Sequence, residues 1–391
     1  MADDRRPLYH LVGTAGFPNY GDELIAAGWL RHLAHTVPDA DVWLDCPSPG
    51  TAATLLDGLH PRARFTDTVW RLCHAAPEGG AWEVAAWVRS AVADPGLAPR
   101  WVAGVDLLRR ADVVHVVGGG YVNGIWPRHA GVLAAAVAAV GHSGGRAVAT
   151  GQGLTPEATG TGPLIRSLLE RFALVEVRDE ASAALLDRPD TLGLDDAFLP
   201  AAAVPAVADP PRVVLCLQSD LSDRPAEALA SFVLGTLRRW AVDPKEVAVV
   251  EGIPGQDRIV YALLEHELPG TRFVPFDRVW RDGLPVAPDQ TWISTRFHPH
   301  LVAAAVGAGG LAVSLDGDYY PTKHRSLTAL GSGWELVTDL DTAPERPQPG
   351  GFPPPVLAAL RERKAALADR VYGRRPRAGA ARSACRPETC R

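Results

Sequence analysis

The chain is short of sulfur, of long apolar runs and of basic clusters. It has 391 residues, five cysteines and one methionine. Cys46, Cys73, Cys216, Cys385 and Cys390 are odd in number and scattered, which argues against a disulfide framework and fits a reducing compartment. The longest apolar stretch, "HAGVLAAAVAAVGH", is too short and too rich in alanine to span a bilayer. The opening "MADDRRPLYH" has no apolar segment of signal-peptide type. A cytoplasmic protein is expected, with at most a loose membrane association. The net charge is −6 and no long basic run precedes the tail, so nucleic acid is not an expected partner.

What is present is an alternation. Strand-like runs at 8–13, 41–46, 112–119, 146–152 and 174–179 are separated by helical patterns at 22–36, 128–142, 162–172 and 179–188. The stretch 50–110 is less regular, with helical patterns near 80–93 and 100–110. "LPAAAVPAVADPPR" has no periodicity and reads as a linker. A second alternation follows, with strands at 212–218, 246–252, 271–276, 291–296 and 311–317 and helices at 225–240, 257–268 and 300–308. After a loop at 344–356, the helix "PVLAALRERKAALADRVY" closes the second half.

A chain this long exceeds one ordinary core. The expected fold class is α/β, with two Rossmann-like domains facing a cleft. They cover residues 1–200 and 213–372, joined by a linker at 201–212 and followed by a disordered tail at 373–391. In such sheets ligands sit at the carboxyl ends of strands.

The strand-end loops therefore carry the chemistry. "VGTAGFPNYGDEL" lacks the GxGxxG spacing and has no GK[ST]. Asp22 and Glu23 fall in a first helical turn, where they offset the helix dipole and would repel phosphate. They fit either a well-capped helix or a site for a neutral hydroxyl-bearing ligand such as a sugar. In "VVHVVGGGYVNGIWP" a buried strand runs into Gly118, Gly119 and Gly120, which let a ligand approach the backbone closely. In "ATGQGLTP", Gln152 either bonds a ligand or satisfies the loop backbone. Arg178 ends a strand, and can hold an anion or pair with Asp179 or Asp195. In "WISTRFHPHLVAAAVGAGG", Arg296 offers a bidentate anion clamp and His298 or His300 an acid or base. A His-x-His metal site has no third ligand marked. In "VSLDGDYYPTKHRS", Asp316 and Asp318 match a metal-binding DxD or a turn, and Lys323 can add positive charge to the cleft.

These motifs occur in one order: "NYGDELI", "VVGGGY", "GQGLTP", "VRDEAS" and "RFHPHLVAAAVGAGGLAVSLDGDYYPTK". The chain resembles the polysaccharide pyruvyl transferase family over roughly residues 10 to 330. The resemblance implies a glycosyltransferase-B-like pair of domains. It also implies transfer of a pyruvyl group from phosphoenolpyruvate to two hydroxyls of a glycan or lipid-linked saccharide, forming a ketal and releasing phosphate. By motif, Asn19 and Gly21 belong to the first substrate loop, Arg178 and Arg296 are the donor-anion clamps, and His298 is the catalytic histidine. Asp22 is the candidate base or orienting acceptor for the hydroxyls. The sequence departs from the family at Phe297, where an aliphatic residue is commoner.

No step of that reaction requires a metal or a resident cofactor; phosphoenolpyruvate is a co-substrate. Two other classes stay open: a nucleotide-sugar glycosyltransferase using Asp316 and Asp318, and a non-catalytic binder of glycans or phosphorylated metabolites. Acceptor loops are expected in 50–110 and 277–290. Trp70, Trp82, Trp87, Trp101 and Trp126 are candidates to stack on sugars or to fill the core.

Overall fold

Apolar runs rich in valine, buried on both faces, become parallel strands. The computed structural model describes residues 5–199, 209–219, 224–314 and 319–373. In it the first half forms a sheet of six strands: β1 (Leu8–Val12), β2 (Asp41–Asp45), β3 (Ala63–Thr66), β4 (Val113–Val116), β5 (Arg146–Gln152) and β6 (Leu174–Val177). The second half forms another: β7 (Val213–Cys216), β8 (Val247–Val250), β9 (Arg272–Val274), β10 (Thr291–Ser294), β11 (Gly309–Val313) and β12 (Glu335–Val337). Every pairing is parallel.

The orders are β3-β2-β1-β4-β5-β6 and β12-β11-β10-β7-β8-β9. Counted from its own first strand, each sheet runs 3-2-1-4-5-6, the doubly wound order. The two Rossmann-like sheets expected from the alternation are present. The edge strands β3 and β12 are additional to that expectation. Both are short and partly exposed, so neither carries a continuous apolar run.

Helix starts also differ from the periodic pattern. The first helix spans Tyr20–Thr36, because the Asn19 side chain caps it by accepting from Gly21 N. The helix after β10 spans Phe297–Val306, so His298 lies in its first turn. Asp316, Asp318, Cys385, Cys390, most of the expected linker and nearly all of the tail lie outside the described residues. Cys46, Cys73 and Cys216 are buried free thiols, and burial raises the pKa of each.

The last helix, Pro354–Tyr372, corrects the sequence reading. It was expected to close the second half, yet its side chains lock into the first. Lys364 is fully buried, with Nζ against Glu176 and 2.5 Å from Asp196 Oδ1. The same ammonium donates to Leu194 O at 2.9 Å. Burial lowers the Lys364 pKa, but Asp196 and Glu176 outweigh it and hold the group above the ordinary lysine value. Eight residues on, Tyr372 OH lies 2.7 Å from His115 Nδ1. His115 Nε2 meets Thr150 Oγ1 at 2.8 Å, and Thr150 donates to Asp196 at 2.6 Å. A carboxylate only accepts, so the chain runs Tyr372 to His115 to Thr150 to Asp196.

One apolar cluster passes from Leu11, Trp29 and Leu33 of the first half to Trp292, Leu301 and Leu357 beyond it. Among the described residues no helix is long and apolar enough to cross a membrane.

Replacing Lys364 with Met would leave two carboxylates buried beside each other without their cation. The expected loss is about 3–5 kcal/mol of stability, read from the urea midpoint of the whole chain. A loss under about 1 kcal/mol would show that this helix is held by apolar packing alone.

Candidate active site between the two sheets

The carboxyl ends of both sheets border a shared pocket of about 480 Å³. From the first half come Thr14, Asn19, Asp22, Trp70, Gly120 and Arg178. From the second come Gln218, Ile253, Gln256, Arg296, His298 and Lys323. The seam is tight: Tyr20 N donates to Gly252 O at 2.9 Å across it.

Gly21 explains itself here. A Cβ at this position would stand 1.7 Å from His298 Nδ1. The first turn of one half must be bare for the imidazole of the other to lie on it. On the far side of the ring, His298 Nε2 is 3.4 Å from Asp195 Oδ1. Glycine and aspartate thus fix the ring from opposite sides.

Asp195 also takes Arg178 Nη1 at 2.8 Å. Burial pushes the Asp195 carboxyl up, but His298 and Arg178 together outweigh it and hold it well below the usual range. Arg178 is 4% exposed, and its guanidinium lies 4.8 Å from the centre of the Phe297 ring. Phe297 also meets His298 edge-on at 5.1 Å. The aromatic residue that departs from the family pattern therefore supports both neighbours. Gly153 completes this corner, because a Cβ there would come within 2.8 Å of the Arg178 guanidinium.

Arg296 is held separately. Its Nε lies 2.9 Å from both carboxylate oxygens of Asp257. Asp257 Oδ2 in turn accepts from Gly252 N at 2.6 Å and Ile253 N at 3.1 Å. Burial raises the Asp257 pKa against the pull of Arg296. Lys323, half-buried, is depressed well below the usual lysine value by burial and by Arg178. Asp22 accepts from Asn19 Nδ2 at 3.0 Å. Burial raises its pKa, while His298, Thr14, Arg178 and Lys323 oppose the rise. Acid, imidazole and cations therefore feel one another within a single pocket.

Four expected residues are placed elsewhere. Gly118 N donates to Asp196 Oδ2 at 2.7 Å, and a Cβ there would strike Asp196. Gly119, at φ 156°, faces the Tyr121 ring, and its carbonyl accepts from Gly153 N at 2.8 Å. Gln152 is fully buried and its amide donates to the carbonyls of Val116, Val117 and Thr150. Of the two readings left open for Gln152, the structure shows the backbone one. His300 is fully buried behind its helix, stacked on Trp334 at 4.2 Å and bonded to His324 and Ser332 at 3.0 and 2.9 Å. Two residues along a helix turn a side chain through roughly 200°. His-x-His therefore cannot place both rings on one face. His300 anchors the helix Tyr319–Ala329, which carries Lys323. Among the described residues no group of three His, Cys, Asp or Glu could hold a metal ion.

Asp257 was missed in the sequence, and Asp195 was read only as a structural partner. Both are acids standing after an apolar or loop run, without a local motif. Of the tryptophans, Trp70 and Trp126 line the pocket, while Trp82 bonds Gly160 O and Trp87 and Trp101 pack on the core.

The imidazole of His298 thus lies between two doubly wound sheets, beside the buried guanidiniums of Arg178 and Arg296. The family pattern of the polysaccharide pyruvyl transferases matches residues 19–317. The chain belongs to that family. Comparison with curated proteins finds no match. Among solved structures, a UDP-N-acetylglucosamine 2-epimerase from Neisseria meningitidis bound to UDP-GlcNAc is 12% identical, with a TM-score of 0.50 over 93% of this chain and 91% of that one. Another UDP-N-acetylglucosamine 2-epimerase has a TM-score of 0.52 at 12% identity over 87% and 85%. At this identity the likeness concerns the fold, which is of glycosyltransferase-B type.

Glu23 supplies a test of the loop architecture. It is fully buried and accepts from Gly16 N at 2.7 Å. Burial raises its pKa from 4.5 to about 8, against the Gly16 hydrogen bond and with help from Asp22. The folded state thus holds this proton more tightly than the unfolded one. Stability from the neutral carboxyl is complete below about pH 4.5 and is lost as the pH rises to about 8. Glu23→Gln should flatten that fall in denaturant-melt stability. An unchanged slope would place the ionised carboxylate in the native loop.

Proposed function

We propose that this family member transfers the pyruvyl group of phosphoenolpyruvate to two hydroxyls of a glycan or lipid-linked saccharide, forming a cyclic ketal and releasing phosphate. The observation that carries the reading is the convergence of Arg178, Arg296, Lys323, His298 and Asp22 on one pocket. A donor with a carboxylate and a phosphate needs cations, and planar guanidiniums suit both groups. Their aspartate partners fix the forks before any ligand arrives.

The chemistry balances with these groups. Protonated His298 gives its proton to the methylene carbon of the enol, leaving positive charge at C2 beside the carboxylate. A sugar hydroxyl adds to C2, and its proton passes to Asp22. The C2–O bond to phosphate then breaks, with the electron pair leaving on phosphate, as the cations take up the charge. The second hydroxyl closes the ring at C2. Asp22 passes the first hydroxyl's proton to the departing phosphate, and the second hydroxyl's proton restores His298. General acid catalysis of this kind is worth about 10²–10⁴-fold.

The test is incubation of the protein with phosphoenolpyruvate and a panel of glycosides or lipid-linked glycans, following phosphate release and product mass. His298→Asn should lower turnover by about 10²–10⁴-fold in protein that still binds phosphoenolpyruvate. Asp22→Asn should impair transfer more than donor binding. If the wild type does not bind phosphoenolpyruvate, or if Arg296→Ala transfers normally, the reading fails.

A further inference from the structure

Large apolar side chains are normally withdrawn from water, so a cluster of exposed ones marks a binding surface. Three aromatic side chains stand out as exposed in the described chain: Phe17 at 66%, Trp126 at 37% and Trp82. Two of the three, Phe17 and Trp126, border the pocket just described. Trp126 does not stand alone. Its ring lies nearly parallel to that of His129, at 15° and 6.2 Å between centres. His129 meets the buried Trp70 edge-on at 4.9 Å and His74 at 6.2 Å. Phe17, Trp70, His74, Trp126 and His129 all line the pocket.

The acidic and basic lining residues Asp22, Arg178, Arg296, His298 and Lys323 all lie outside this aromatic wall. The wall suits an uncharged ligand. His129 Nδ1 sits 2.8 Å from Tyr121 O. A carbonyl only accepts, so Nδ1 carries the hydrogen. In the neutral ring Nε2 is then an acceptor. Burial keeps the ring neutral by lowering its pKa, the Tyr121 bond opposes this, and His74 adds to it. A flat apolar face next to a fixed neutral acceptor matches a pyranose ring, which offers C–H groups on one side and hydroxyl donors at its edge.

We propose that this wall is the acceptor subsite: Trp126 stacks on a neutral hexopyranose ring of the acceptor, and His129 Nε2 accepts from one of its hydroxyls. The assignment rests on reading the protein as a transferase acting on glycans, and it makes Trp126 and His129 positioning residues for the acceptor alone.

The test separates the subsite from the chemistry. Saturation-transfer NMR would be recorded on the full chain with methyl glucopyranoside, galactopyranoside and mannopyranoside, without phosphoenolpyruvate. At least one glycoside should receive saturation. Trp126→Ala should abolish the signal, Trp126→Phe should keep most of it, and His129→Gln should weaken it. Trp126 is solvent-facing, so its variants should fold, as melting temperatures would show. In the transfer assay the acceptor KM should rise about tenfold in Trp126→Ala, equivalent to about 1.4 kcal/mol, with the phosphoenolpyruvate KM unchanged. Glycoside binding that depends on Trp126 supports the subsite even if phosphoenolpyruvate is not turned over, an outcome that would sink only the proposed reaction. Saturation reaching no glycoside, or reaching it equally in Trp126→Ala, overturns the subsite, as does a His129→Gln variant with wild-type signal.

Discussion

Two neighbouring carboxylates, Asp195 and Asp196, hold the molecule together from one short turn. Asp196 points into the core. Its Oδ2 accepts from Trp29, Gly118 N and Thr150 at 2.7, 2.7 and 2.6 Å, while Lys364 faces Oδ1. That one residue ties together the first helix, the ends of β4 and β5, and the last helix of the chain. Asp195 instead holds two residues that line the cleft, Arg178 and His298. A buried charge is tolerable only when it is paired and hydrogen-bonded. The requirement that makes Asp196 a hub is therefore also what sets the position of the reactive side chains one residue away.

Much of this could be read along the chain, and what could not has a physical reason. Strands buried on both faces announce themselves, whereas β3 and β12 are edges and do not. The strand-end glycines were visible, but their jobs were not. Gly21 clears space for His298, Gly153 clears space for the Arg178 guanidinium, and Gly118 admits the Asp196 carboxylate. Those partners lie far away in sequence, so spacing alone could not sort the glycines that line the pocket from those that build it. Gln152 and His300 misled for a related reason. A polar side chain at a strand end or in a first turn has two faces open to it. Which one it takes is decided by packing from the rest of the fold.

The cations are arranged with equal economy. Arg178 rests on Phe297 and Asp195, and Arg296 on Asp257, so each fork has a fixed plane. Asp257 simultaneously binds the amides after β8, and the carbonyl of Gly252 in that loop accepts from Tyr20 across the seam. The loop that orients one guanidinium is thereby the loop that joins the halves. Preorganised charge of this kind lowers the reorganisation needed when a ligand's charge shifts.

Gly21 carries a conflict between the part and the whole. Within its own helix, alanine would be the better residue by up to about 1 kcal/mol. The first half would fold more readily with that change, and the second half would lose the surface on which its imidazole rests. Local propensity and the union of the halves thus pull in opposite directions at one position. A half-protein selected for its own stability would drift toward a side chain there, and only the joined chain has a reason to keep the helix bare.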